Sequence, residues 1–130
     1  MEIKIIILFI MIYLHIYDDF NKQGILAQFK QKDYWKQNYP DEMYKHDYII
    51  SLFMHSFSWS MSILVAPVVY LVYNNLDTPN LCQILILFFN NLICHMIVDH
   101  MKCNKKMINL VCDQLIHLGQ IIITWIIIFI

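Results

Sequence analysis

The sequence predicts an all-α fold: a polytopic membrane bundle of four transmembrane helices. Of its 130 residues, 59% are hydrophobic and only 15% are charged, whereas a soluble domain carries about 25% charged residues. The hydrophobic residues are concentrated in four stretches that polar segments separate. With two glycines and three prolines, the chain has no long flexible linker, so residues 1–130 are expected to form one integral-membrane domain.

Each apolar stretch is a predicted span. The hydrocarbon core of a bilayer is about 30 Å thick, so a helix needs roughly 20 residues to cross it. The second and fourth stretches reach this length and the third nearly does, whereas the first reaches it only if its helix continues to Phe20. The predicted spans are residues 3–20, 48–73, 81–100 and 108–130.

Two other interpretations of the apolar stretches fit the sequence less well. Lys4 precedes the first stretch, as in a signal peptide, but the residues from His15 onward contain no small-x-small cleavage site. A single globular core would need helices that are apolar on all sides, which a chain of this size cannot bury. The lipid bilayer is therefore the expected partner of all four stretches.

The lysines predict the orientation of the bundle. The first connector contains Lys22, Lys30, Lys32, Lys36 and Lys45, and the third contains Lys102, Lys105 and Lys106. The short link Asn74–Asn80 contains none, and the N-terminus has only Lys4. Because lysine-rich loops stay in the cytoplasm, both lysine-bearing connectors are predicted to be cytoplasmic and both termini to lie outside.

The connector of residues 21–47 is the only sizeable polar segment. Ile25, Leu26 and Phe29 have the spacing of the apolar face of an interfacial helix, and Trp35 could anchor it among lipid headgroups. The simpler interpretation is a solvated cytoplasmic connector that contains one or two amphipathic turns.

Charge and cysteine content argue against two classes of protein. The formal net charge is −1 and all nine basic residues are lysines, which disfavours a nucleic-acid partner because arginine is the residue best suited to phosphate recognition there. The four cysteines lie in or beside apolar runs without zinc-type spacing, so reduced thiols are predicted rather than a disulfide framework.

Ionisable residues interrupt the apolar runs at one predicted level of the membrane. His15 and Asp19, and likewise Asp113 and His117, are four residues apart and therefore share a helical face. In a four-span topology each of these groups falls at the cytoplasmic end of its helix. The seven groups are His15, Asp19, His55, His95, Asp99, Asp113 and His117. Lys102 continues the pattern of His95 and Asp99, and Gln114 is adjacent to Asp113.

Imidazoles and carboxylates that face each other inside a helix bundle can bind a divalent cation. Mixed nitrogen and oxygen ligands favour Zn, Mn or Fe over Ca or Mg, and such an ion can activate water for hydrolysis. The predicted metal ligands are His15, Asp19, His95, Asp99, Asp113 and His117. His55 or Gln114 would orient water or substrate, and Lys102 would meet an anionic headgroup. The hypothesis is a metal-dependent hydrolase acting on a lipid-linked or membrane-proximal substrate.

Several alternatives remain open at this stage. Each His–Asp pair alone is more often a structural hydrogen bond, and Lys102 alone would serve as an interfacial anchor. The same cluster could form a proton or cation relay of a transporter, which would require a polar path to the far side of the membrane. A non-enzymatic bacterial or phage membrane protein is the third alternative.

The polar motifs resemble those of a known family. HIYDDFNKQ (His15 to Gln23), MHSFSWSM around His55, HMIVDHMK (His95 to Lys102) and DQLIHL (Asp113 to Leu118) resemble, in order and approximate spacing, signatures of the domain-of-unknown-function 3307 family. These are small membrane proteins of bacteria and phages. The resemblance implies an integral protein of a bacterial inner membrane or of a phage-infected host membrane. It also implies that the polar cluster is important, but it does not imply a particular reaction. Asp18 departs from the small residue usual in the family.

Overall fold

In the computed structural model, residues 2–74 and 78–130 are described, with only the backbone for residues 78–80. These residues are 85% helical and contain no strand, so the all-α prediction is confirmed. The helices are α1 (Glu2–Ile16), continued by a π-helical turn (Tyr17–Lys22), α2 (Leu26–Phe29), α3 (Lys32–Asn38), a 3₁₀ turn (Glu42–Tyr44), α4 (Asp47–Tyr73), α5 (Thr78–Cys103) and α6 (Leu110–Phe129). Part of the predicted link between the second and third spans, residues 75–77, lies outside the described residues.

The four long helices pack in the order α1, α4, α5 and α6 around a common interior, and α6 closes the ring against α1. Segments 42–73, 81–103 and 110–129 are each long and apolar enough to cross a membrane, which indicates a membrane protein. By contrast, α1 has 15 residues and reaches further only through the π-turn, where Asp18 and Asp19 add charge. A fourth span is therefore not confirmed.

The distribution of side chains is inverted relative to that of a water-soluble protein. Buried polar and charged side chains are about as numerous as buried hydrophobic ones among the described residues. Large apolar side chains instead cover the outside, with Phe9, Ile86 and Ile123 all more than half exposed. An apolar exterior of this extent is stable against lipid and unfavourable in water.

The interior is divided along its length into an apolar half and a polar half. The apolar half is a buried cluster of Ile7, Met11, Trp59, Ile63, Leu64, Ile121 and Phe129. At this end the start of α1 is joined to the end of α6, because the Lys4 ammonium donates to the Phe129 carbonyl oxygen at 2.8 Å and Trp125 Nε1 donates to the Lys4 carbonyl oxygen at 2.7 Å. The polar residues lie at the other end.

The connector of residues 21–47 folds against the bundle. Asn104, which follows α5, accepts from the Lys32 backbone N–H at 2.6 Å and donates to the Lys30 carbonyl oxygen at 3.0 Å. The Lys30 side chain is only 4% exposed, so the connector inserts a charge into the bundle interior. Ile25 is 62% exposed, whereas Leu26 and Phe29 are partly buried, so the expected apolar face is only partly covered.

We expect Asn104→Ala to loosen the connector, because it removes both hydrogen bonds to the connector backbone. Losing them costs about 1–3 kcal/mol of docking free energy, so trypsin should cleave after Lys32 and Lys36 about tenfold faster in detergent-solubilised protein. Asn38→Ala is the matched control, since the Asn38 amide donates only to the Tyr34 carbonyl oxygen at the surface. Equal cleavage rates for Asn104→Ala and wild type would contradict a docked connector.

Candidate metal centre

The π-turn after α1 brings two adjacent carboxylates into the protein. Asp18 is 1% exposed and Asp19 is 9% exposed, although neighbouring residues of an α-helix point about 100° apart. A π-turn has more residues per turn, so it narrows that angle and lets both side chains face inward. Asp18 Oδ1 accepts from Ser58 Oγ at 2.9 Å and from Ser62 Oγ at 3.0 Å, which fastens the turn to α4.

Helix α4 supplies His55 and, one turn later, Trp59. Both are buried because they lie on the face of α4 that turns inward. The Trp59 ring stacks on the His95 ring with centroids 4.2 Å apart, and its Nε1 donates to His15 Nδ1 at 2.8 Å. Trp59 also belongs to the apolar cluster, so it forms the floor that separates the polar half of the interior from the apolar half.

The remaining groups come from the ends of α5 and α6 that face the connector. His95 and Asp99 are one turn apart on α5, and Asp113 and His117 are one turn apart on α6; all four are at most 1% exposed. The His95 and His117 rings stack with centroids 4.0 Å apart. The i, i+4 spacing thus places four residues from two helices against one another, as the sequence predicts.

The first group of possible metal ligands surrounds His55. Its Nε2 lies 3.2 Å from Asp19 Oδ1, 3.2 Å from His95 Nε2 and 3.4 Å from Asp99 Oδ2. His95 Nε2 lies 3.8 Å from Asp19 Oδ1 and 3.9 Å from Asp99 Oδ2. Four ligands about 2.0–2.2 Å from a tetrahedral zinc ion lie about 3.3–3.6 Å from each other, so these spacings suit one ion.

A second group lies around His117. Its Nε2 is 3.4 Å from Asp113 Oδ1 and 3.9 Å from Asp99 Oδ1. Both His117 Nε2 and Asp113 Oδ1 are buried without a hydrogen-bond partner. A buried polar atom without a partner costs about 1–3 kcal/mol, so two such atoms that face each other indicate a ligand between them. A ligand atom of Asp19 also lies within 4.8 Å of those of Asp113 and His117.

Asp99 belongs to both groups through different oxygen atoms. Its Oδ2 lies near His55 and His95, and its Oδ1 lies near His117. A carboxylate with this placement can bridge two ions, as the inward-facing carboxylates of dinuclear helix bundles do. The buried His and Asp groups could therefore hold a metal ion, and their ligand atoms form three overlapping sets of three residues.

Two lysines neutralise part of the negative charge. Lys30 Nζ donates to Asp99 Oδ2 at 2.7 Å, and Lys102 Nζ donates to Asp113 Oδ2 at 2.6 Å. Gln114 Nε2 donates to Asp19 Oδ2 at 2.8 Å and to Asp113 Oδ2 at 3.0 Å. In Asp19 and Asp113 these donors fix one carboxylate oxygen, and the other oxygen faces an imidazole. Asp99 differs, because its Oδ2 both accepts from Lys30 and lies near His55.

The structure brings five of the six predicted metal ligands into these groups: Asp19, His95, Asp99, Asp113 and His117. His15, the sixth, joins none of them, and its Nδ1 is occupied by Trp59. His55, predicted to orient water or substrate, has instead the position of a ligand. Gln114 contacts two of the carboxylates, and Lys102 binds Asp113 while its side chain stays 26% exposed.

Three residues of the site lacked a functional prediction. Lys30 lies in the connector, where a lysine normally indicates a solvated surface, and the residues next to it in the sequence do not indicate that it is buried. Asp18 is adjacent to Asp19 and would point elsewhere in a regular α-helix. Trp59 follows His55 at i+4, and this spacing is the signal that could have placed it beside the histidines.

Comparison with known proteins identifies no relative: no protein-family model, curated protein or solved structure matches the chain. The resemblance to the domain-of-unknown-function 3307 family therefore remains an interpretation of short motifs. The chemistry of the centre has to be derived from its own atoms.

A double-mutant cycle should show that Lys30 and Asp99 form a coupled buried pair. In metal-free protein we expect Lys30→Gln and Asp99→Asn each to lower the free energy of unfolding by about 3–5 kcal/mol, because each leaves an uncompensated buried charge. The double variant should lose much less than the sum of the two. Denaturant titration in detergent, with chelator present, measures all four proteins.

The exposed pair Lys45 and Glu42 provides the control cycle, since its ammonium and carboxylate lie 3.1 Å apart, compared with 2.7 Å in the buried pair. Its coupling energy should be close to zero, because water screens an exposed pair. Additive losses for Lys30→Gln and Asp99→Asn would contradict a buried ion pair.

Proposed function

We propose that this protein is a membrane-embedded, metal-dependent hydrolase that acts on a membrane-proximal, lipid-linked substrate. Divalent ions of Zn, Mn or Fe would be held by Asp19, His55, His95, Asp99, Asp113 and His117. One observation carries the proposal: more polar atoms converge on the imidazole nitrogens than hydrogen bonds can satisfy.

His55 Nε2 makes this plain. Besides the two carboxylates and the His95 nitrogen, the Gln23 amide nitrogen lies 3.2 Å from it. An imidazole nitrogen offers either one N–H or one lone pair, so it can satisfy only one of these four neighbours. If this nitrogen is protonated, its N–H opposes the N–H donor of Gln23. If it is not protonated, its lone pair opposes the oxygen atoms of two carboxylates. A cation bound among the lone pairs of His55, His95 and the carboxylates removes the conflict.

The type of ion follows from the ligands. Imidazole and carboxylate together suit Zn, Mn or Fe, whereas Ca and Mg prefer oxygen ligands alone. Such ions polarise an ester or phosphoryl oxygen and lower the pKa of bound water to near neutrality, which is the chemistry of a hydrolase. Around them, Gln114 and Lys102 hold the carboxylates in position, and Trp59 orients His15 and supports His95.

The position of the opening to the centre favours a substrate that approaches from the membrane surface. A cavity of about 200 Å³ reaches Asp19 and Gln114 from the side where the connector packs. The connector carries a cluster of aromatic rings suited to the headgroup region, which consists of Phe29, Tyr34, Trp35, Tyr39 and Tyr44. A substrate held in the bilayer would therefore meet the centre at its polar end.

The proposal includes four spans, with α1 and the π-turn together forming the first. The lysine-bearing connectors would be cytoplasmic, in a bacterial inner membrane or in the membrane of a phage-infected host. Membership of the domain-of-unknown-function 3307 family belongs to the same proposal and is supported by the four motifs. The packing of α1 between α4 and α6 supports its place in the bundle.

A relay for proton or cation transport is the weaker candidate. A polar chain does leave the centre: His117 Nδ1 lies 2.9 Å from Gln120 Oε1, and Asn91 Nδ2 donates to Thr124 Oγ1 at 2.8 Å. Among the described residues, however, the interior beyond it is filled by the apolar cluster that contains Ile7 and Ile63. This arrangement favours a closed centre over a path across the membrane.

Metal analysis of detergent-purified protein tests the proposal. We expect about two divalent ions per chain in wild type, because the ligands form two groups that share carboxylates. His95→Gln and His117→Gln should each lose at least one ion, and chelation should lower the melting temperature of wild type much more than that of either variant. Elemental analysis and thermal unfolding are the measurements.

His100→Gln is the matched control, since His100 lies on α5 outside the centre, where its ring stacks on Tyr48. It should retain the wild-type metal content. Wild-type protein that carries no stoichiometric metal, and takes up none on dialysis against Zn, Mn or Fe, would rule out the metal centre.

Cysteine accessibility tests the number of spans. In a chain without its four native cysteines, we expect Glu2→Cys and Asn74→Cys to react with a membrane-impermeant maleimide in intact spheroplasts. Lys106→Cys should react only after permeabilisation, because four antiparallel spans place it on the opposite side. If Glu2→Cys reacts under the same conditions as Lys106→Cys, and not under those of Asn74→Cys, α1 does not cross the membrane.

A further inference from the structure

The cavity beside the metal centre is lined by groups that favour an anion. Lys30 and Lys102 line it together with Gln23, Gln114 and Asp19, a carboxylate of the centre. Lys30 comes from the connector and Lys102 from the end of α5, so the two ammonium groups approach from different elements. Lys30 is nine-tenths buried or more, which makes its charge a built part of the cavity.

The charge of the centre changes sign when metal binds. The carboxylates of Asp19, Asp99 and Asp113 and the two lysines leave one net negative charge when the imidazoles are neutral. Each divalent ion adds two positive charges, so a centre with two ions carries a net charge of three positive. A buried excess of that size is unfavourable without an anionic partner.

The lysines retain donors for that partner. An ammonium group has three N–H donors, and Lys30 and Lys102 each donate to a single carboxylate oxygen of the centre. The remaining lysine donors and the ions would meet a ligand from different sides. A phosphate monoester fits this arrangement better than a carboxylate does, because it has three terminal oxygen atoms and close to two negative charges.

We propose that the cavity binds the phosphate group of a phosphate monoester, with Lys30 and Lys102 on one side of the group and the metal ions on the other. This inference rests on the proposed function and names its substrate class. In the reaction, the oxygen of water forms a new bond to phosphorus and the bond from phosphorus to the ester oxygen breaks. One water proton passes to the leaving oxygen, and the other stays on the phosphate that is released.

Phosphorus NMR of manganese-loaded protein tests the inference. Protein in nanodiscs is loaded with Mn²⁺, freed of unbound metal by gel filtration, and titrated with inorganic phosphate; a second sample contains phosphatidic acid in a phosphatidylcholine bilayer. Phosphate held beside Mn²⁺ should show saturable paramagnetic broadening of its phosphorus signal. Broadening by inorganic phosphate identifies a free phosphate site, and selective broadening of phosphatidic acid identifies a lipid headgroup; either supports the proposal.

Lysine variants distinguish the contribution of the lysines to phosphate binding from that of the metal ions. Lys102→Gln should retain its Mn²⁺ but bind phosphate about tenfold or more weakly, because it loses a charged hydrogen-bond donor. Lys105→Gln, at an exposed lysine of the neighbouring loop, should bind as wild type does. If Lys102→Gln does not fold, Lys102→Arg takes its place and should keep both the ion and phosphate binding.

Three results would overturn the inference. In wild type that contains Mn²⁺, the absence of saturable broadening in both samples would overturn it and leave the metal centre standing. The inference would also be overturned if metal-loaded Lys102→Gln bound phosphate as tightly as wild type does. Loss of phosphate binding in a folded, metal-loaded Lys102→Arg would overturn it too. Failure of wild type to take up any Mn²⁺, Zn or Fe would overturn the proposed function and this inference together.

Discussion

Three carboxylates buried among four imidazoles are the constraint on which the polar half of this protein depends. Asp19, Asp99 and Asp113 lie where the effective dielectric constant is low, so each needs a nearby positive charge or hydrogen-bond donors. Lys30 and Lys102 each meet part of this need on one carboxylate oxygen, and Gln114 does so on two. The other oxygen atoms of Asp19 and Asp113, and both oxygen atoms of Asp99, face imidazole nitrogens, and a cation between them would complete the arrangement.

The same requirement explains why the connector is docked. A connector that only joined two spans would gain nothing from burying a lysine, since desolvation of an ammonium group is costly. Lys30 is buried because its ammonium group pairs with the buried Asp99. Asn104 fixes the backbone directly after it, through the Lys30 carbonyl oxygen and the Lys32 N–H. The connector is therefore part of the centre, and the loop between α5 and α6 holds it in place.

Local patterns predicted the helices and most of the site, whereas longer-range features were missed. Hydropathy and the i, i+4 spacing are properties of one segment, so α4, α5, α6 and the pair Asp113 and His117 could be anticipated. The burial of Lys30 depends on the path of the connector and on a partner 69 residues away, which no local pattern encodes. His15 was assigned to the metal because its spacing to Asp19 is right, yet the Trp59 indole occupies its Nδ1.

The π-turn shows how fold and site depend on each other. In a continuous α-helix either Asp18 or Asp19 would face inward, and the turn allows both to do so. Asp18 then holds the turn to Ser58 and Ser62 on α4, the helix that also carries His55. This same contact between α1 and α4 brings Asp19 Oδ1 within 3.2 Å of His55 Nε2. The π-turn thus aligns a possible metal ligand that follows the first helix with one from the next long helix.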